Sequence, residues 1–155
     1  MFRENQRKEE KKINGEKFKI AIVAAEFNGD IVGRMQDSAL ETLQKNGVKE
    51  ANIQLIKVPG AFEIPLTCQK LAQKNSLDAI IILGCVIKGG TDHYYYIAGE
   101  SSRGVMEVML KFSIPIGFGI ITTDNLEQAI ERSSGKSNKG REAAEAVLKM
   151  LDIKY

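Results

Sequence analysis

Apolar, β-branched residues cluster in four short runs: FKIAIVAA (18–25), IQLIKV (53–58), AIIILG (79–84) and IPIGFGII (114–121). Several of these runs are continuous and not alternating, which is the pattern of strands covered on both faces. The segments between them carry a helical period. Ile31, Met35, Ala39 and Leu43 recur at four-residue spacing behind Asn28 and Asp30, and Gly47 stands where a helix C-cap belongs. A second helix is expected over 62–74, with Pro65 tolerated in its first turn, and a third over 93–111. Asp124 and Glu127 form a capping box for a short helix whose Leu126, Ala129 and Ile130 face inward. The last helix, 139–151, has a stripe of Ala143, Ala144, Val147, Leu148 and Leu151 beside outward Arg141, Glu145 and Lys149.

Alternating strands and helices predict a single α/β domain: a doubly wound, four-stranded, mainly parallel sheet with helices on both faces and flavodoxin-like topology. Residues 1–12 are polar without a hydrophobic period and are expected to be a flexible tail, so the folded domain is expected over 13–155. In such sheets a ligand binds beyond the carboxyl ends of the strands. The turns that matter are therefore AEFNGD (25–30), VPGAFE (58–63), GCVIKGGTDH (84–93) and ITTDN (121–125).

Composition narrows the function. The chain has 155 residues, 43% of them hydrophobic, enough for one compact core. Its 22 basic and 20 acidic residues are interspersed and leave a formal charge of +2, so no strong field draws nucleic acid or an anionic membrane. Two cysteines, Cys68 and Cys85, and one histidine match no common zinc spacing, so no metal is expected. The start is charged, and the apolar runs fall far short of the ~20 residues that span a bilayer. A reduced, cytoplasmic protein is the natural expectation.

The stretch GCVIKGGTDHYYY (84–96) resembles a phosphate loop, but Gly89-Gly90-Thr91 stands where a nucleotide hydrolase has Gly-Lys-Thr. Free N–H groups at the start of a helix favour an anion. Without the lysine, and without an acidic partner for magnesium, a small phosphorylated metabolite fits better than ATP or GTP. Glycines after a strand also serve plain turns. His93 follows in the first helical turn, where a neutral imidazole can accept a proton. Ser101 and Ser102 lie in GESSRG, which is not a nucleophile elbow. Glu63 opens a helix and complements its dipole. Arg132 and Lys139 are ordinary solvated cations unless the anion lacks a charged partner in its own loop. Tyr94, Tyr95 and Tyr96 point to successive sides of a helix, so a subunit contact is one way to cover them. From the residues alone, a non-catalytic phosphate-binding domain is as good a reading as an enzyme.

EFN (26–28), VPGAFEIP (58–65), LGCVIKGGTDHYYYI (83–97), GFGIITTDNLEQAIER (117–132) and NKG (138–140), in this order, resemble the lumazine synthase family over nearly the whole chain. The resemblance implies condensation of 5-amino-6-(D-ribitylamino)uracil with 3,4-dihydroxy-2-butanone 4-phosphate, the penultimate step of riboflavin biosynthesis, with no cofactor and no metal. By matched position it implies that Phe27 stacks on the pyrimidine and that Ala61, Phe62 and Glu63 hold the ribityl chain and uracil. Cys85, Val86 and Ile87 would give backbone contacts to the same substrate, Gly90 and Thr91 would bind phosphate, and His93 would shuttle protons. Phe118, Arg132 and Lys139 would come from a neighbouring subunit of a homo-oligomer, a pentamer or an icosahedral shell of pentamers, with riboflavin synthase as an associated partner. Tyr95 stands where the family is commonly acidic, Gly99 where asparagine is frequent, and the stretch between Arg132 and Asn138 is short. A shell-forming or flavin-binding scaffold that has lost turnover is the alternative these departures leave.

Overall fold

The computed structural model describes residues 11–155. The expectation of a flexible 1–12 segment lies outside the described residues, except for Lys11 and Lys12, which are exposed and irregular. The elements in chain order are β1 (Ile20–Ala25), α1 (Gly29–Lys45), β2 (Ile53–Val58), α2 (Ile64–Gln73), β3 (Ala79–Ile87), α3 (His93–Phe112), β4 (Ile116–Thr123), α4 (Leu126–Arg132) and α5 (Lys139–Leu151). The strands lie in the order β2-β1-β3-β4, and every neighbouring pair is parallel. This is the flavodoxin-like order. It puts the topological switch point between β1 and β3, where the crossovers leave in opposite directions and a crevice opens.

Side-chain alternation along β1 and β3 builds the two layers. Ile20, Ile22, Ile81 and Leu83 pack under α1 and α5, while Ala21, Val23, Ile80 and Ile82 pack under α2 and α3. Both strands are buried along nearly their whole length, which is why their sequences read as continuous apolar runs. Burying one such aliphatic side chain stabilises by about 1.5–3 kcal/mol. An exposed ion pair such as Lys45–Glu41, at 2.7 Å, is screened by water and adds little. The layers, not the surface charges, hold the fold.

Several element ends differ from expectation. Lys19 donates its N–H to Asp78 Oδ2 at 2.7 Å, so β1 begins at Ile20. Proline has no N–H for a ladder, and Pro115 stays outside β4, which runs on to Thr123. The segment Ala61–Glu63 forms a 3-10 turn, so α2 begins at Ile64. The cap of α4 is also shifted by one residue. Asn125 Oδ1 accepts the Gln128 N–H at 2.9 Å, and Gln128 Oε1 accepts the Asp124 N–H at 2.8 Å, replacing the expected Asp124–Glu127 pair. Leu126 and Ile130, expected inward, face solvent, 56% and 41% exposed, and only Ala129 reaches the core. On α5, Arg141 and Glu145, expected outward, are half-buried and pair at 3.4 Å.

Gly140 fixes how closely α5 approaches α1. A Cβ there would lie 2.0 Å from the Met35 carbonyl oxygen, inside any tolerable contact with backbone. Gly140→Ala is expected to cost at least the ~1–3 kcal/mol typical of overpacking and to lower the urea midpoint without changing the slope. An unchanged midpoint would mean that the two helices part freely.

Candidate functional site

A cleft of about 530 Å³ opens at the carboxyl ends of β1, β2 and β3, within the size range of small-molecule sites. Ala25, Cys85 and Val86 lie at its strand ends, Ala61, Phe62 and Glu63 on one side, and Thr91 and His93 on the other. Phe27 lines the cleft as well and is 71% exposed.

Local hydrogen bonds dictate these positions. Glu26 and Phe27 donate their N–H groups to Val58 O (2.7 Å) and Pro59 O (3.0 Å), so the first two turns stay paired past the end of the sheet. Asn28 then takes the left-handed conformation, φ 54°, and its side-chain amide donates to Cys85 O at 2.9 Å. Asparagine tolerates this conformation better than most residues. The amide staples the Phe27 turn to the end of β3. In the second turn, Glu63 Oε2 accepts the Gly60 N–H at 3.0 Å, so this carboxylate already shapes its own loop.

The third turn is tied to β4 by the Lys88 N–H, which donates to Thr123 O at 2.8 Å. Neither Gly89 nor Gly90 has a left-handed φ, and a Cβ on either would meet nothing within 4 Å. Turn geometry and packing therefore do not account for these glycines. They leave the backbone of this turn open to solvent at the mouth of the cleft. Thr91 and the 20-residue helix α3 follow, with His93 at the first helical position and its N–H 3.4 Å from Thr91 Oγ1. Ser101 is buried and donates its hydroxyl to Ile97 O at 2.6 Å, which removes it as a nucleophile.

Burial pushes both thiols up from the ordinary value of 9.0, Cys68 to about 12 and Cys85 to about 11. At pH 8 the cleft thus contains a thiol, not a thiolate. Alkylation of the native protein at pH 8 is expected to spare both cysteines, with full labelling after unfolding. Rapid native labelling of Cys85 would contradict it. The folded state holds these protons more tightly than the unfolded chain does. Their contribution to stability is therefore complete below pH 9 and falls as pH rises towards 11–12. The pKa of the exposed Lys88 is raised, chiefly by the neighbouring Tyr95, and its ammonium lies 5.5 Å from that ring's centroid. The loop's own cation is thus engaged by Tyr95.

A family model described as 6,7-dimethyl-8-ribityllumazine synthase matches residues 17–155. The chain belongs to this family. It is 48% identical over 136 residues to a 6,7-dimethyl-8-ribityllumazine synthase of Desulfovibrio desulfuricans, a match covering 87% of each chain. A protein of the same name from Halorhodospira halophila is 47% identical over 136 residues, again with 87% of each chain covered. Lumazine synthases are transferases of riboflavin biosynthesis.

In this lumazine synthase family chain, one cleft brings together Phe27, Ala61, Phe62, Glu63, Cys85, Val86, Ile87, Thr91 and His93. Gly90 sits between the lining residues Gly89 and Thr91 without lining the cleft itself. Phe118, Arg132 and Lys139 lie outside it. Phe118 is half-exposed on the edge strand β4, Arg132 Nη1 donates to Gln128 O at 3.4 Å, and Lys139 pairs with Glu142 at 2.8 Å. The tyrosines divide their roles: Tyr94 lines the cleft, and Tyr95 and Tyr96 are 55% and 70% exposed. Given no substrate role from the sequence were Asn28, which frames the cleft, and Ala25, Pro59, Gly60, Gly89, Tyr94 and Ile97, which line it. The last two had a signal, since they lie one and four positions after His93 on the same helix. Asn28 stood in the EFN motif, but its staple to Cys85 O could not be read, because it depends on where β3 ends. Among the described residues no group of three His, Cys, Asp or Glu side chains could hold a metal, and no helix is long and apolar enough to cross a membrane.

Proposed function

We propose that residues 13–155 form one catalytic domain that condenses 5-amino-6-(D-ribitylamino)uracil with 3,4-dihydroxy-2-butanone 4-phosphate, releasing 6,7-dimethyl-8-ribityllumazine, phosphate and water. The observation that carries this reading is the single cleft that gathers an exposed aromatic ring, a carboxylate loop, an uncrowded glycine loop and the only histidine. Phe27 stacks on the pyrimidine. Ala61, Phe62 and Glu63, with the backbone of Cys85, Val86 and Ile87, bind uracil and ribityl groups. The amides at Gly90 and Thr91 hold the phosphate at the start of α3.

The amine of one substrate attacks the ketone of the other and loses water to form an imine. Phosphate then leaves by elimination, the resulting enol tautomerises to a new carbonyl, and the second amine closes the ring on that carbonyl with loss of a second water. Protons move at every step while one anion stays anchored, so one histidine beside one phosphate suffices. Holding two reactants together supplies much of the remaining acceleration. Phe118, Arg132 and Lys139 complete the cleft of a neighbouring copy, in a pentamer or a shell of pentamers. This division answers the missing lysine of the glycine loop, whose own Lys88 is engaged by Tyr95.

Arg132→Ala tests the phosphate assignment. Loss of a charge-assisted hydrogen bond, about 1.5–3 kcal/mol, is expected to raise KM for the butanone phosphate on the order of ten- to a hundredfold. KM for the ribityl substrate is expected to stay unchanged. Equal shifts in both, or in neither, would remove Arg132 from the phosphate site.

A further inference from the structure

We propose that Asn138 is the positioning residue that sets where Arg132 and Lys139 project, an inference that rests on the function proposed above. Its side chain is buried, with the residue 5% exposed, and its amide nitrogen donates to Ser133 O at 2.8 Å and Arg34 O at 3.3 Å. Its amide oxygen accepts the N–H groups of Gly140 at 2.9 Å and Arg141 at 3.2 Å. A carboxamide has two donors and two acceptor sites, and all are used. Ser133 directly follows Arg132, and Lys139 directly follows Asn138. One side chain thus closes the α4–α5 corner, which contains Gly135 at φ +53°, and anchors it to α1. Beside that anchor, Gly140 has no room for a Cβ against Met35.

The plain alternative is that Asn138 only caps α5. Capping needs the oxygen alone, and a residue doing only that would leave its nitrogen to water. Here the nitrogen instead joins two carbonyls outside α5. Long cations reaching into another copy's cleft need a fixed base, because a misplacement of about 1 Å can cost on the order of a hundredfold in rate.

Asn138→Ser keeps a capping oxygen but cannot span to the Ser133 and Arg34 carbonyls. Steady-state kinetics and native mass of the full chain read the result. The expected outcome is KM for the butanone phosphate raised on the order of tenfold or more, KM for the ribityl substrate within about twofold, and unchanged assembly. Adding Asn138→Ser to Arg132→Ala is expected to raise that KM by less than the product of the two single effects, because the part that runs through the guanidinium is already lost. Wild-type kinetics in Asn138→Ser would show that capping is the whole role and overturn the proposal. Loss of assembly with both substrates affected alike would also overturn it. If Asn138→Ser does not fold, Asn138→Asp, which keeps the size and the capping oxygen, is read by the same criteria, and failure of both to fold makes the position purely structural. The underlying reading fails separately: Arg132→Ala with an unchanged KM for the phosphorylated substrate removes it whatever Asn138 does.

Discussion

His93→Ala is expected to lower kcat by about 10²- to 10⁴-fold, the range that proton transfer by a positioned side chain contributes, while KM for either substrate changes by no more than a factor of a few. Few other groups in the cleft compete for this work. The Cys85 thiol keeps its proton up to about pH 11 because it is buried, and the Ser101 hydroxyl is committed to Ile97 O. Glu63 Oε2 is engaged by the Gly60 N–H, and binding the ribityl substrate is its assigned task. A residual rate is expected to survive, since the cleft still holds both reactants together without the imidazole. Steady-state turnover of the variant beside wild type measures this. Wild-type kcat in His93→Ala would move proton transfer elsewhere, with Glu63 as the first residue to examine.

Two impaired variants are expected to rescue each other. If His93 of one copy faces Arg132 of the next, His93→Ala and Arg132→Ala subunits in one ring generate junctions that contain both native side chains. With random mixing in equal amounts in a cyclic assembly, about a quarter of the junctions are fully native. Activity near a quarter of wild type should then appear when the two variants are unfolded and refolded together, at substrate concentrations where each alone is nearly silent. The reason is geometric: Arg132 and Lys139 lie outside the cleft that holds His93 in the same chain. Mixtures no more active than the average of the separate variants would place all the machinery within one copy.

The buried strands were legible in the sequence because both of their faces are covered. The runs in β1 and β3 admit few other readings. Element ends were not legible, because they are decided by partners distant in sequence. β4 starts after Pro115, and the Lys88 N–H still finds Thr123 O beyond the expected end of β3. The α4 cap was misplaced because aspartate and asparagine cap equally well. In the structure Asn125 caps, with Gln128 closing the box, and Leu126 and Ile130 are exposed while Ala129 is buried.

In the site, the loops were legible because ligands collect at strand ends, and the order of motifs carried the family. What escaped was the framing. The Asn28 staple to Cys85 and the bond from Asn138 to Arg34 join residues far apart in sequence, and the Gly60–Glu63 bond, though local, was not read from the loop. The assignment of Phe118, Arg132 and Lys139 to another copy came from the resemblance alone, since spacing along one chain carries no information about a second.

The most direct test of the central claim is to mix the purified protein with 5-amino-6-(D-ribitylamino)uracil and 3,4-dihydroxy-2-butanone 4-phosphate, following lumazine fluorescence and phosphate release together. Both products are expected mole for mole, at a rate proportional to protein and well above the spontaneous reaction. Tight binding of the ribityl compound with product formation no faster than in buffer would contradict it and leave a binding scaffold of the same fold.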